Sequence, residues 1–276
     1  MLAAAVLWST GGLFIKWTSL SAFELTFGRS LLAALTVAFF TRREGFRLNA
    51  MTVLTSLLYA GLLLLFVVAT KLTTAANAIF LQYTAPIYVL VLEPILFKEK
   101  FRRADLIAVA GCIAGMSLFF VGKLRPQDVS GNLAALASGL CFAFYILLLR
   151  HPQSQRVNRA SSVIYGNLLL VLLAAPAGLA ALGHMTTPDT VSVLYLGVFQ
   201  IGVAYTLFTL GIARGVRSLD AAIVGYIEPV LNPIWVFLFL GERPSGWALV
   251  GGCIIIAAVA SHTIWGKRKP TVKIGE

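Results

Sequence analysis

The sequence has little charge, and acidic residues are the scarcer kind. Charged residues make up 12% of the 276 residues, and the 11 Asp and Glu are outnumbered by 22 Lys and Arg. Hydrophobic residues make up 59%, whereas a soluble domain carries roughly 25% charged residues. This composition excludes a soluble globular protein and indicates a multi-pass protein in a lipid bilayer.

Residues that carry catalysis or bind metals are also few. Three cysteines lie inside apolar segments and three histidines lie in separate parts of the chain: Cys112, Cys141, Cys253, His151, His184 and His262. The chain has no phosphate-binding loop, no Ser-His-Asp set and no zinc-ligand spacing. We therefore expect no cofactor, no metal, no disulfide framework and no catalytic residues, and ATP hydrolysis by this chain is disfavoured.

What the chain does have is long hydrophobic runs. Ten of them span about 1–17, 23–41, 51–71, 74–97, 104–122, 130–150, 161–182, 190–213, 219–240 and 246–265. Helices satisfy their own backbone hydrogen bonds, which lipid cannot do. The sequence therefore predicts an all-α membrane protein with ten transmembrane helices and no extramembrane domain.

Lys and Arg predict the orientation of these helices. The net charge of +11 would also suit a nucleic-acid-binding protein, but the basic residues cluster at segment ends, so we expect no nucleic-acid partner. Sixteen of them fall in one set of loops and five in the other, while Arg29 lies within a segment. Basic loops face the cytoplasm, so both termini are expected inside, in a bacterial inner membrane.

The stretch Ser218–Glu242 combines an apolar character with helix-breaking residues. Glu228 directly precedes Pro229, and Asn232 directly precedes a second proline. A proline removes one helical hydrogen bond, and a carboxylate in lipid is costly and usually functional. We expect a helix broken within the membrane, as in secondary transporters.

This stretch has an earlier copy in Thr74–Glu99. The following pairs lie 143 positions apart: Asn77 and Asp220, Ala78 and Ala221, Tyr83 and Tyr226, Pro86 and Pro229, Glu99 and Glu242. With five segments in each half, the second half must enter from the opposite side of the membrane. The sequence thus predicts two inverted five-helix repeats, 1–125 and 126–266, followed by a basic cytoplasmic tail, 267–276.

Several motifs resemble one family. Leu7-Trp8-Ser9-Thr10, Arg29-Ser30-Leu31-Leu32-Ala33-Ala34 and the Pro…Glu pattern that ends both copies are similar to the EamA family of the drug/metabolite transporter superfamily, and most of all to its YddG-type amino-acid exporters. The resemblance implies a central cavity lined by the first, third, fourth, sixth, eighth and ninth helices. One departure is Ala85, which stands where the second copy has Glu228.

Polar and aromatic side chains within the apolar segments are the candidates for binding a substrate. Glu228, Asn232 and Trp235 share a helix face, as do Asn77, Thr84 and Tyr88, and Tyr205 with Thr209. The full set of candidates is Trp8, Tyr59, Asn77, Tyr83, Thr84, Tyr88, Tyr145, Tyr205, Thr209, Tyr226, Glu228 and Asn232. Amide and hydroxyl groups would hold the polar end of an amino acid, and aromatic rings its side chain. Each candidate could instead only bond a neighbouring helix.

Four charged residues allow interpretations other than substrate binding. Arg29 could extend outward to water, pair with Glu24 or contact substrate. Glu93 is expected to pair with Lys98 or Lys100, and Asp220 to cap its helix beside Ser218. Glu228 is a proton carrier, a partner for a substrate ammonium group, or a hydrogen-bonding residue of a broken helix.

The leading hypothesis is a secondary transporter that exports small metabolites, in particular aromatic or other neutral amino acids, by alternating access. A broad drug or metabolite exporter, or an importer, is the alternative within transport. A membrane scaffold or an integral-membrane enzyme is the alternative from another class. Clustered His, Asp or Glu at one membrane face would indicate an enzyme, and the sequence shows no such cluster.

The inverted arrangement predicts the side from which two positions can be labelled. Single cysteines are placed at Ser245 and at Arg102, in a background without the three native cysteines. The Ser245→Cys variant should react with an impermeant thiol reagent in intact cells, and the Arg102→Cys variant only after the membrane is opened. Equal labelling of both in intact cells would contradict two inverted five-helix repeats.

Overall fold

The computed structural model describes residues 1–98, 102–119, 121, 126–240 and 245–266. Within these residues every element of regular structure is a helix. The predicted cytoplasmic tail, 267–276, and the repeat-mates Glu99 and Glu242 lie outside them.

The helices follow one another with short connections. They are α1 (Leu2–Ser9), α2 (Gly11–Trp17), α3 (Ala22–Thr41), α4 (Ala50–Leu72), α5 (Ala75–Gln82), α6 (Ala85–Phe97), α7 (Arg103–Phe119), α8 (Val129–Leu149), α9 (Ser161–Ala181), α10 (Thr187–Tyr195), a π-helical segment (Leu196–Val203), α11 (Ala204–Ala213), α12 (Ser218–Gly225), α13 (Ile227–Leu240) and α14 (Gly246–Gly266). Two single 3-10 turns, Arg42–Glu44 and Ser154–Arg156, follow α3 and α8.

The length and the apolar surface of the helices suit a lipid bilayer. Seven helical stretches in the described residues are long and apolar enough to cross a membrane: Ala22–Glu44, Ala50–Leu72, Asn77–Phe97, Val129–Leu149, Ser161–Ala181, Thr187–Ala213 and Gly246–Ile264. Large apolar side chains point outward, with Leu172 73% and Ile107 71% exposed, which is unfavourable in water and favourable in hydrocarbon. The prediction of an all-α, multi-pass membrane protein is confirmed, and the count of ten helices stays a prediction.

Side chains that accept backbone hydrogen bonds begin several of these helices. Ser21 and Glu24 form a capping box at the start of α3, and Asn49 accepts from the Thr52 amide at the start of α4. Such caps replace the partners that the first turn of a helix lacks. Glu24 is therefore engaged at the helix end, and it does not pair with Arg29, which was one of the three interpretations of that arginine.

Both copies of the proline motif break the helix that contains them. α5 ends at Gln82 and α12 at Gly225, which are again 143 positions apart. Pro229 has no N–H to donate to the Gly225 carbonyl, which lies four residues earlier. After the first break, the Ile87 amide bonds to the Thr84 carbonyl at 2.9 Å instead of to the carbonyl of Tyr83. The prediction of broken helices is confirmed at both places.

Glycines let some helices pack backbone to backbone. A Cβ added at Gly139 in α8 would lie 2.7 Å from the carbonyl oxygen of Gln82, at the end of α5. A Cβ at Gly115 in α7 would lie 2.8 Å from the Gly251 carbonyl oxygen of α14. Because such contacts leave no room for a side chain, these residues set the separation of the helices.

We expect Gly139→Ala to destabilise the protein. The added methyl group meets backbone atoms of the α5 end, which cannot move aside as a flexible side chain can. Such overpacking typically costs about 1–3 kcal/mol, more than the roughly 1 kcal/mol that alanine gains over glycine in a helix. The thermal unfolding midpoint of purified protein in detergent measures the effect.

Gly183→Ala is the matched control, because a Cβ at Gly183 has no atom within 4 Å. It should leave the unfolding midpoint unchanged. If Gly139→Ala melts at the wild-type temperature, the close approach of α8 and α5 does not limit stability.

Candidate substrate cavity

A narrow cavity that is partly open to solvent lies between the broken helices. Its lining consists of Trp8, Ile15, Arg29, Leu62, Leu63, Phe66, Gln82, Tyr83, Phe142, Gln200, Tyr205 and Glu228. These side chains come from α1 to α5, α8, the π-helical segment, α11, α13 and the break after α5. The helices implied by the family resemblance therefore all contribute, and α3 joins them through Arg29.

Four of the twelve candidate residues lie in this lining, namely Trp8, Tyr83, Tyr205 and Glu228. Tyr59 and Tyr145 lie directly behind, since the Tyr59 ring centroid is 4.9 Å from that of Tyr205 and 5.4 Å from that of Tyr145. Both are fully buried. Together the three rings form a buried aromatic cluster at the wall of the cavity.

The remaining candidates are engaged elsewhere. Asn77 donates to Asn132 at 2.7 Å, and Thr84 bonds to the Leu81 carbonyl at 2.7 Å. Thr209 bonds to the Tyr205 carbonyl at 2.9 Å and lines a second cavity beside Arg159 and Ala213.

Tyr88 packs, half-buried, in an apolar cluster with Val89 and Ala108. Tyr226 is buried against Tyr83. The side chain of Asn232 is outside the described part of the chain. On the same helix, Trp235 donates from its indole nitrogen to the Ser9 hydroxyl at 2.8 Å, which ties α13 to α1.

The two repeat-mate tyrosines hold the two helix breaks together. The Tyr226 hydroxyl donates to the Tyr83 carbonyl at 2.8 Å. The Tyr83 hydroxyl lies 2.9 Å from the Gly225 carbonyl and 2.6 Å from the Glu228 carboxyl oxygen Oε2. Each tyrosine thus reaches a carbonyl that the opposite break leaves without its helical partner. The breaks form one hydrogen-bonded unit, and Glu228 is fixed to it.

Three polar lining residues, Gln82, Gln200 and Arg29, were not among the sequence candidates. Gln82 and Gln200 are amides in otherwise apolar segments, and substrate contact was one of three interpretations of Arg29. Arg29 is 2% exposed, so it does not extend outward to water. All three are polar residues inside predicted membrane segments, and this feature of the sequence could have identified them as candidates.

Comparison with known proteins agrees with this architecture. The model of the EamA-like transporter family matches residues 1–121 and 129–263. The chain belongs to this family. A solved crystal structure of a protein with 22% sequence identity superposes with a TM-score of 0.79 and covers 96% of each chain, which shows that the fold is shared.

Sequence comparison finds relatives whose names are those of transporters. The chain is 28% identical to the uncharacterized transporter YwfM of Bacillus subtilis, over 94% of this chain and 92% of YwfM. It is 27% identical to the threonine/homoserine exporter RhtA of Salmonella typhimurium, over 77% of this chain and 70% of RhtA. It is 26% identical to the aromatic amino acid exporter YddG of Ancylobacter novellus, over 72% and 71%.

A group of buried charges joins several helix ends in this EamA-like chain. Glu93, 1% exposed, pairs with Arg150 at 2.6 Å and with Arg217 at 3.2 Å. Arg217 also pairs with Asp105 at 3.0 Å, and His262 lies 2.9 Å from the same carboxyl group. These five residues come from α6, α7, α8, α14 and the start of α12. We call them the ion-pair cluster.

One expectation about this region was wrong, the capping role of Asp220, and the expected lysine pairing of Glu93 is tested only for Lys98. The arginines of the ion-pair cluster hold Glu93, whereas Lys98 has a left-handed backbone at the end of α6 and Lys100 lies outside the described residues. Asp220 does not cap α12, because the cap position is Arg217 and has no side-chain hydrogen bond to the helix. Instead, the Asp220 carboxyl oxygen Oδ1 lies 3.7 Å from the Arg217 guanidinium nitrogen Nη1.

We expect Tyr226→Phe and Tyr83→Phe each to lower stability. Removing either hydroxyl leaves a buried carbonyl unsatisfied, which typically costs about 1–3 kcal/mol. The thermal unfolding midpoint in detergent should fall for both variants.

The matched control is Tyr88→Phe, because the Tyr88 hydroxyl has no hydrogen-bond partner among the described residues. It should melt as the wild type does. A wild-type midpoint in Tyr226→Phe and Tyr83→Phe would show that the two helix breaks do not depend on these hydroxyl groups.

Proposed function

We propose that this protein is a secondary transporter that exports small metabolites, in particular aromatic or other neutral amino acids, from the cytoplasm across a bacterial inner membrane. The observation that carries the proposal is a cavity with polar groups on its wall, inside a helical bundle whose outer surface suits lipid. Family membership supports transport, and the relatives named as exporters of threonine, homoserine and aromatic amino acids support the substrate class.

Within this proposal, ten membrane segments form two inverted repeats, 1–125 and 126–266, with both termini in the cytoplasm. The helix contacts support a twofold exchange of the halves. α3 packs on α9 and α7 on α14, so these segments pair with their own repeat-mates. The third segment, α4, packs on the sixth, α8. The first segment packs through α1 on the eighth, which contains α11 and the π-helical segment. Exchange of the two halves converts one of these contacts into the other.

Alternating access needs one end of the cavity to be closed while the other is open. We propose that the ion-pair cluster and the rings of Tyr59, Tyr145 and Tyr205 close the end of the cavity that the Lys and Arg distribution assigns to the cytoplasm. The helix breaks after Gln82 and Gly225 are where the broken helices can bend. We therefore take the structure as a state that is closed toward the cytoplasm.

Counterflow in proteoliposomes tests the function. Vesicles loaded with unlabelled L-threonine or L-phenylalanine should transiently accumulate the labelled amino acid from outside without ATP. Vesicles without protein should not. Repeating the assay with and without a pH gradient shows whether a proton is coupled to transport, and Glu228→Gln should abolish that coupling if Glu228 carries the proton.

The outcome that contradicts the proposal is equal signal in protein-free and protein-containing vesicles for both amino acids. Accumulation of unrelated cationic drugs under the same conditions would favour the broad exporter instead. A membrane scaffold would accumulate neither kind of solute.

A further inference from the structure

We infer that Arg29 and Glu228 are the two charged ends of a receptor for a zwitterion, in which Arg29 holds the substrate carboxylate and Glu228 its ammonium group. The ligand class is a free α-amino acid with both groups unmodified. This inference rests on the proposed transport function and adds the residues and the chemistry of recognition.

Arg29 is a buried cation on the cavity wall with an incomplete set of partners. It is 2% exposed, its Nε atom has no hydrogen-bond partner, and its Nη2 atom reaches only the Leu63 carbonyl at 3.4 Å. No carboxylate among the described residues lies within 4.0 Å of it. A buried arginine is costly unless it is paired, and its planar guanidinium suits a carboxylate that can accept two hydrogen bonds.

Glu228 is the acidic group on the same wall. Its Oε2 atom is held by the Tyr83 hydroxyl at 2.6 Å, which fixes the position of the carboxyl group. No cation in the part of the chain that the structure describes pairs with it within 4.0 Å. The carboxyl group is thus positioned by a neutral neighbour and remains available for a cation from the cavity.

Arg29 and Glu228 do not neutralise each other. They lie on different helices, α3 and α13, and do not approach within the 4.0 Å of an ion pair. Both side chains line one cavity. A ligand that carries one positive and one negative charge is complementary to both, whereas a simple amine or a simple acid would leave one charge without a partner.

Two further polar atoms on this wall lack partners. The Trp8 indole nitrogen, a donor, and the Gln200 carbonyl oxygen Oε1, an acceptor, are both buried and unbonded. Gly11 makes room for Gln200, because a Cβ there would lie 2.7 Å from the Gln200 amide nitrogen. A zwitterion offers both an acceptor and a donor, so it can satisfy both atoms.

The rest of the wall suits an uncharged side chain. Leu62, Leu63, Phe66 and Phe142 line the cavity and offer apolar and aromatic surface. A second charge on the substrate would find no further acid or base in the lining. The geometry therefore favours neutral amino acids over acidic or basic ones.

The first arm of the test uses the wild-type protein alone. Binding to purified protein is measured for L-phenylalanine, for phenethylamine, which lacks the carboxylate, and for hydrocinnamate, which lacks the ammonium group. L-threonine is compared with isopropanolamine and β-hydroxybutyrate in the same way. Losing one charged hydrogen-bonded contact should weaken binding about tenfold or more, so each analogue should bind at least that much more weakly.

The second arm assigns each charge to its residue. Arg29→Gln should bind L-phenylalanine and phenethylamine equally, and Glu228→Gln should bind L-phenylalanine and hydrocinnamate equally. Arg29→Lys keeps the charge and should retain part of the preference. Arg214→Gln, an exposed change of the same type outside the cavity lining, should keep the full preference. Size-exclusion profiles confirm that each variant is folded.

Two results overturn the inference: a wild-type protein that binds either analogue as well as the amino acid, or folded Arg29→Gln and Glu228→Gln variants that keep the wild-type preferences. If amino-acid counterflow is present while the preference is absent, the zwitterion receptor alone fails. If neither binding nor counterflow of any amino acid is found, the proposed function fails with it.

Discussion

Inside hydrocarbon, a backbone carbonyl that loses its helical partner cannot turn to water. Pro229 creates one such carbonyl, at Gly225, and the break after α5 creates another, at Tyr83. Each is reached by a tyrosine from the opposite repeat, at 2.9 and 2.8 Å respectively. The breaks therefore cannot exist independently, and the two halves of the protein are joined at the positions where each is weakest as a helix.

The cavity is a consequence of this arrangement. The space beside the two breaks is bordered by α1, α2, α3, α4, α8, α11 and the π-helical segment. π-helical segments within helices are frequent at functional sites, and here the segment carries Gln200 into the cavity wall. The broken helices also bring Tyr83 and Glu228 to the wall, and the tyrosine hydroxyl that reaches the Gly225 carbonyl also contacts the Glu228 carboxyl group.

Charge is distributed unequally along the protein axis. In the ion-pair cluster, two arginines neutralise Glu93 and Asp105, and His262 lies beside Asp105. In the cavity, Arg29 and Glu228 have no opposite charge beside them in the described residues. Buried charges are costly when unpaired, so the cluster is suited to closure and the cavity to a ligand that supplies the missing charges.

Much of the fold could be predicted because hydrophobic length, proline position and the offset of 143 can be read from the sequence without knowing any contact. They indicated an all-helical membrane protein and the places where two helices break. The candidate site was less accessible, because helical periodicity identifies a face but not what that face contacts. Tyr83 and Tyr226 occupy equivalent positions in the two copies. Tyr83 lines the cavity, whereas Tyr226 is buried against Tyr83 and lies outside the lining.

What the sequence determined by itself was the class of protein, because partition into lipid depends on composition and run length alone. Only the tertiary structure decided which polar residues stay unpaired. Asn77 and Glu93 found partners on other helices, at Asn132 and at Arg150 and Arg217, whereas Arg29 found only a distant carbonyl. The physical reason is that the cost of a polar group in a membrane depends on its neighbours across the bundle, and those neighbours are remote in the chain.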